Sequence, residues 1–299
     1  MIVAHGLSKQ YGQVRAVDNL SFTVQPGVVT GFLGPNGAGK STTMRLMLGL
    51  DRGQGNTKFN GRTYAELDDP ARAVGVLLDA KAVHPGRTAR SHLRMIAAGA
   101  GIPARRADEV LDMVGLGGAA KRRAGGFSLG MSQRLGLAAA LLGNPPVLML
   151  DEPANGLDPE GVRWLRDLLK SLAAEGRTIF VSSHLLNEMT HLADALIVIG
   201  GGRLIAAESL PEFVKRHARV QVVARADHPA ALIDALMHAG YRSTPQPDGA
   251  VIVEGVDTDT VAAIASRARV YLRELSSVQT SLEEAFFAAT SNAAQYRAN

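Results

Sequence analysis

Residues 28–50 read VVTGFLGPNGAGKSTTMRLMLGL. Val28 to Leu33 is a short β-rich run, while Met44, Met47, Leu48 and Leu50 fall near the spacing of a helix with one buried face. The stretch therefore predicts strand, loop, helix. Between them Gly34, Pro35, Asn36, Gly37, Ala38, Gly39, Lys40, Ser41 and Thr42 fit the phosphate-loop pattern GxxxxGK[ST]. Glycines let backbone N–H groups converge on phosphate oxygens, and a helix N-terminus adds partial positive charge. Lys40 is expected to reach the β- and γ-phosphates, and Ser41 to offer its hydroxyl to Mg²⁺. On this loop alone kinases, GTPases and ATPases all remain open.

Downstream, VLMLDE (147–152) narrows the choice. An all-apolar strand delivers Asp151 to its carboxyl end, where a metal ligand belongs, and Glu152 follows as a candidate base for water. The surrounding pattern is α/β: a helix near 159–174, the strand TIFVSS (178–183), another helix, and the strand LIVIG (196–200). Short apolar strands of this kind suit a parallel sheet covered on both faces. Residues 88–143 predict helices near 88–99, 104–114 and 131–142, an inserted helical subdomain at about 80–143. Residues 219–276 then predict β-α-β-β-α-β, a ferredoxin-like order, and a last amphipathic helix is expected over 280–289.

The 299 residues are enough for two domains at about 150 residues each. We expect a core domain over 1–218 and an accessory domain over 219–299. Charge supports the division, since residues 1–219 hold 26 Lys+Arg against 19 Asp+Glu, whereas residues 220–299 hold 6 against 9. The basic excess is too dispersed for a nucleic-acid groove, and its densest run, Lys121-Arg122-Arg123, reads as a solvated corner. With no cysteine, disulfide frameworks and thiolate chemistry are excluded, which fits a cytosolic address. The longest apolar run, Leu137 to Gly143, is far short of the roughly 18 residues of a membrane span. The N-terminal residues lack a secretory pattern.

Five motifs in order make residues 1–215 resemble the ATP-binding cassette (ABC) ATPases, P-loop proteins that bind and hydrolyse ATP with Mg²⁺. Beyond the phosphate loop and VLMLDE, Phe127-Ser-Leu-Gly-Met-Ser-Gln133 resembles the family's signature loop, with Ser128 and Gly130 at its key positions. Asn155-Gly-Leu-Asp158 resembles the loop linking the two sites of a dimer, and His184 resembles the switch histidine. Tyr11 stands where the family places a ring against adenine. The resemblance implies a head-to-tail homodimer with ATP between subunits, Ser128 and Gly130 acting in trans, and Glu152 with His184 as the catalytic pair. Three positions depart from the pattern. Asp79 replaces the usual glutamine and is a tentative Mg²⁺ ligand, while in the signature Leu129 replaces the first glycine and Met131 the usual glutamine, which should weaken hydrogen bonding across the dimer.

The resemblance is closest to ATPases of bacterial drug, antibiotic and bacitracin-type exporters, with SLEEAFF (281–287) resembling the end of their C-terminal extension. It implies a peripheral subunit on the inner face of the membrane, powering a separate permease. Soluble relatives acting in translation or on DNA carry two cassettes or long coiled-coil insertions, and neither is visible here. An import subunit would share the same motifs. The C-terminal part, lacking any phosphate or metal motif, is expected to serve assembly or regulation.

Overall fold

The computed structural model describes residues 1–80, 82–217 and 220–279. In chain order it runs β1 (Ile2–Tyr11), β2 (Val14–Val24), β3 (Val29–Leu33), α1 (Lys40–Met47), β4 (Gln54–Phe59), α2 (Pro70–Ala73), β5 (Val74–Leu77), α3 (Ala89–Gly99), α4 (Arg105–Met113), α5 (Leu129–Leu141), β6 (Val147–Leu150), α6 (Pro159–Ala174), β7 (Thr178–Ser183), α7 (Leu186–Leu192), β8 (Ala195–Gly200), β9 (Arg203–Ser209) and α8 (Leu210–His217). It continues with β10 (Val220–Ala226), α9 (Pro229–His238), β11 (Ser243–Pro245), β12 (Val251–Glu254), α10 (Thr258–Arg267) and β13 (Leu272–Gln279). Two compact units result, dividing between Phe213 and Val214. The division lies inside α8, a few residues before the expected boundary at 218.

The first unit holds a six-stranded sheet in the order β5-β6-β7-β3-β8-β9, parallel except for β9. Every residue of β3, β6 and β7 is buried, which explains their nearly unbroken apolar sequences. A three-stranded antiparallel sheet, β2-β1-β4, shares one core with it. Phe22 of β2 lies 5.8 Å from Phe32 and 5.7 Å from Phe180, whose rings are 5.0 Å apart, centroid to centroid. Met44, Leu46 and Met47 of α1 enter the same core, so the helix that follows the phosphate loop is anchored by both sheets. On the opposite face α6 and α7 lie against β3 and β7.

The helical insert is built from α3, α4 and α5, which contact one another. Helix α5 begins at Leu129, two residues before the sequence pattern suggested, because the Ser128 hydroxyl caps it by accepting from the Met131 N–H at 3.2 Å.

In the second unit the sheet order is β11-β12-β10-β13, entirely antiparallel, with α9 and α10 contributing Leu232, Leu236, Val261 and Ala265 to its core. Connected as β-α-β-β-α-β, this is the ferredoxin-like topology. The helix expected over 280–289 lies outside the described residues.

The three-phenylalanine contact joins the two sheets that clamp α1. Phe180→Ala is expected to destabilise the protein by about 3–5 kcal/mol, read from urea unfolding. A loss below about 1 kcal/mol would contradict the packing described.

Candidate active site

In a parallel sheet the strand carboxyl ends form the natural place for a site. Here β6, β7 and β3 are neighbours, with Leu150 opposite Val181 and Ser183 opposite Leu33. The residues that follow these strands, Asp151-Glu152, His184 and the phosphate loop, therefore gather at one edge.

Gly39 caps α1 with φ 102°, a conformation that favours glycine, and a Cβ there would collide with the Ala16 carbonyl oxygen. The loop can thus close tightly over the helix N-terminus. The Lys40 side chain is almost fully buried beneath it, donating to the carbonyls of Gly34 at 2.7 Å and Pro35 at 3.4 Å. Burial pushes its pKa below the usual lysine range, opposed by the nearby Glu152 carboxylate.

Glu152 occupies the centre. Its backbone has φ 49°, in the left-handed region that a non-glycine residue seldom takes. Three bonds hold that turn. The Glu152 N–H donates to Ser182 Oγ at 2.9 Å, its carbonyl accepts from Gln133 Nε2 at 3.1 Å, and the Asn155 N–H reaches the same carbonyl at 3.2 Å. The carboxylate is then shared: Oε1 lies 3.5 Å from Lys40 Nζ, and Oε2 lies 2.9 Å from His184 Nδ1. A carboxylate can only accept, so His184 donates to it from Nδ1. Asp151 accepts from the Ser182 hydroxyl, and its own N–H donates to the Leu77 carbonyl at 2.7 Å.

A cavity of about 390 Å³ opens here, walled by Ala16, Asn36, Gly37, Gly39, Lys40, Ser41, Thr42, Glu152, Asn155 and His184. Several expected residues stand outside its walls. Tyr11 is 48% exposed, with Lys9 Nζ 4.7 Å from its ring centroid, and its hydroxyl donates to Asp51 at 2.9 Å. That bond pushes the phenol pKa upward. Asp79, two residues beyond β5, does not line the cavity either. Asp158 caps α6, accepting from the Gly161 N–H at 2.8 Å. Ser128 caps α5, and Gly130 approaches so closely that a Cβ would sit 2.8 Å from the Gly156 carbonyl oxygen.

Sequence reading missed Ser182 and Gln133. The signal for Ser182 was its place near the carboxyl end of TIFVSS, two residues before His184; Gln133 gave no signal of its own.

The ABC transporter family matches residues 17–155, and a domain of unknown function matches residues 220–283. The chain is 42% identical over 217 residues to the bacitracin transport ATP-binding protein BcrA of Bacillus licheniformis, covering 71% of each chain. It is 35% identical to the daunorubicin/doxorubicin resistance ATP-binding protein DrrA of Streptomyces peucetius, covering 99% of this chain and 94% of that one. The protein belongs to the ABC transporter ATP-binding subunits. Among solved structures, a dimeric bacterial ABC transporter cassette is 26% identical with TM-score 0.65, covering 70% of this chain and 99% of that one. A post-hydrolysis cassette bound to ADP and Pi is 25% identical with TM-score 0.64, over 70% and 99%. This ABC subunit is an ATPase with the P-loop cassette fold. Among the described residues no helix is long and apolar enough to cross a membrane.

Ser182 touches both carboxylate residues without lining the cavity. Ser182→Ala is expected to cut kcat about tenfold while leaving ATP affinity within about twofold, measured by phosphate release and equilibrium binding. An unchanged kcat would contradict the positioning described.

Proposed function

We propose that this subunit powers export of a drug, antibiotic or lipid-like compound, working as a head-to-tail pair beneath a separate permease on the cytoplasmic face of the membrane. The observation that carries the chemistry is the meeting of Lys40, Glu152 and His184 in one cavity walled by the phosphate loop. The N–H groups of the loop and the start of α1 receive the phosphates of ATP. Lys40 exchanges its loop carbonyls for β- and γ-phosphate oxygens. Glu152 takes a proton from the attacking water as the bond to the β,γ-bridging oxygen breaks, giving ADP and phosphate. His184, fixed by its Nδ1 bond to Glu152, stabilises charge on the transferred group.

The Ser41 hydroxyl and the Asp151 carboxylate are hard oxygen donors of the type Mg²⁺ takes, and these two residues would hold it. When bound, Mg²⁺ neutralises charge on the phosphate oxygens. Adenine stacks on the half-exposed Tyr11 ring, and Ser128 and Gly130 complete the partner's site, with the Asp158 loop between the two sites. The export reading is supported by the likeness to BcrA, a bacitracin transport protein, and to DrrA, a daunorubicin/doxorubicin resistance protein, the latter matching through the C-terminal unit. That unit, which carries none of these site residues, serves assembly or coupling. No nucleic acid takes part.

A composite site makes a complementation test possible. Lys40→Ala and Ser128→Arg chains should each hydrolyse ATP poorly alone, and activity should reappear on mixing, because one mixed site has both intact residues. No recovery on mixing, or parental activity in Ser128→Arg alone, would overturn the head-to-tail reading.

A further inference from the structure

Leu129, at the position where the family's signature carries a glycine, remains 46% exposed, so filling a core is not its use. Its side chain lies against Gly156. A Cβ added to Gly156 would collide with Leu129 Cγ and Cδ2 and would sit 3.0 Å from Leu129 Cβ. Gly156 also has φ 77°, so the backbone and the leucine together demand glycine there. Immediately beside this contact, Gly130 is close enough to the Gly156 carbonyl that no side chain fits between them. The start of α5 and the loop after Glu152 are therefore in direct apposition within one chain.

Gly156 is one residue from Asn155, which lines the cavity and whose N–H reaches the Glu152 carbonyl. The same carbonyl accepts from Gln133, one turn along α5 from Leu129. Helix α5 thus grips the Glu152–Gly156 segment at two points, by an apolar contact at its first residue and a hydrogen bond one turn later. A shift of the Ser128–Gly130 loop cannot leave Gly156 behind without opening the Leu129 contact.

We propose that Leu129 is a positioning residue for hydrolysis: its side chain, seated on Gly156, makes the placement of Glu152 and Asn155 depend on the placement of the signature loop of the same chain. In the head-to-tail pair, on which this inference rests, the signature loop of one subunit meets the nucleotide of the other. Leu129 then reports occupancy of the partner's site to its own carboxylate.

The test is a double-mutant cycle on the full chain, with ATPase rate, KM, ATP affinity and melting temperature measured together. Leu129→Gly is expected to lower kcat about five- to tenfold and reduce the cooperativity of the ATP dependence, with KM and melting temperature nearly unchanged. Leu129→Met should keep most of the rate, because a flexible thioether can cover the same glycine. Gly156→Ala should cost much more activity with leucine at 129 than with glycine there, since the collision is with the leucine side chain. Parental kcat in Leu129→Gly, or two substitutions whose effects multiply independently, would overturn the inference. Absence of ATPase activity in the parent would overturn the proposed function itself, and so separates the two failures.

Discussion

A single carboxylate residue held in an unfavourable backbone conformation organises this molecule. Glu152 enters the left-handed region two residues after a fully buried strand, at a cost of order 1–3 kcal/mol. That cost is offset by bonds from three separate segments: Ser182 on β7, Gln133 on α5 and Asn155 in the following turn. The result is a carboxylate standing between an ammonium and an imidazole, Lys40 and His184, instead of one turned toward bulk water.

Sheet order is what makes those bonds available. With β7 between β6 and β3, Ser182 near the end of β7 reaches back to both acids, while the phosphate loop comes in from the far side. The antiparallel sheet serves the same end indirectly, since Phe22 and the apolar face of α1 fix the helix whose N-terminus the loop wraps. The helical insert adds the last constraint through Gln133. Fold and site are thus coupled at named contacts: β7 and α5 each bond directly to Glu152.

Much of this was legible in the sequence, for reasons that differ by element. β3, β6 and β7 are buried on both faces and read as apolar runs, and the phosphate loop needs residue types that little else explains. By contrast β1 and β4 escaped notice because their sheet is partly exposed and its pairing shifts register near Gly6, which breaks the alternation a strand should show. β2 runs over Val14–Val24 without a break, carried through Asn19 at φ 51°. β5 and β9 are short or half-exposed edge strands and gave no clear run. The roles of Ser182, Gln133 and the Leu129–Gly156 contact depend on segments brought together only by folding, so no local pattern encodes them. Leu129 illustrates the point, reading as a loss of hydrogen bonding in sequence and as a gained contact in structure.

The central claim is that the Glu152 carboxylate, so placed, takes the proton from water. Phosphate release by Glu152→Gln tests it most directly, with ATP affinity determined on the same sample. The amide keeps the size of the side chain and removes the base, so turnover should fall at least about a hundredfold with affinity within about twofold of the parent. Hydrolysis at the parental rate would contradict the account.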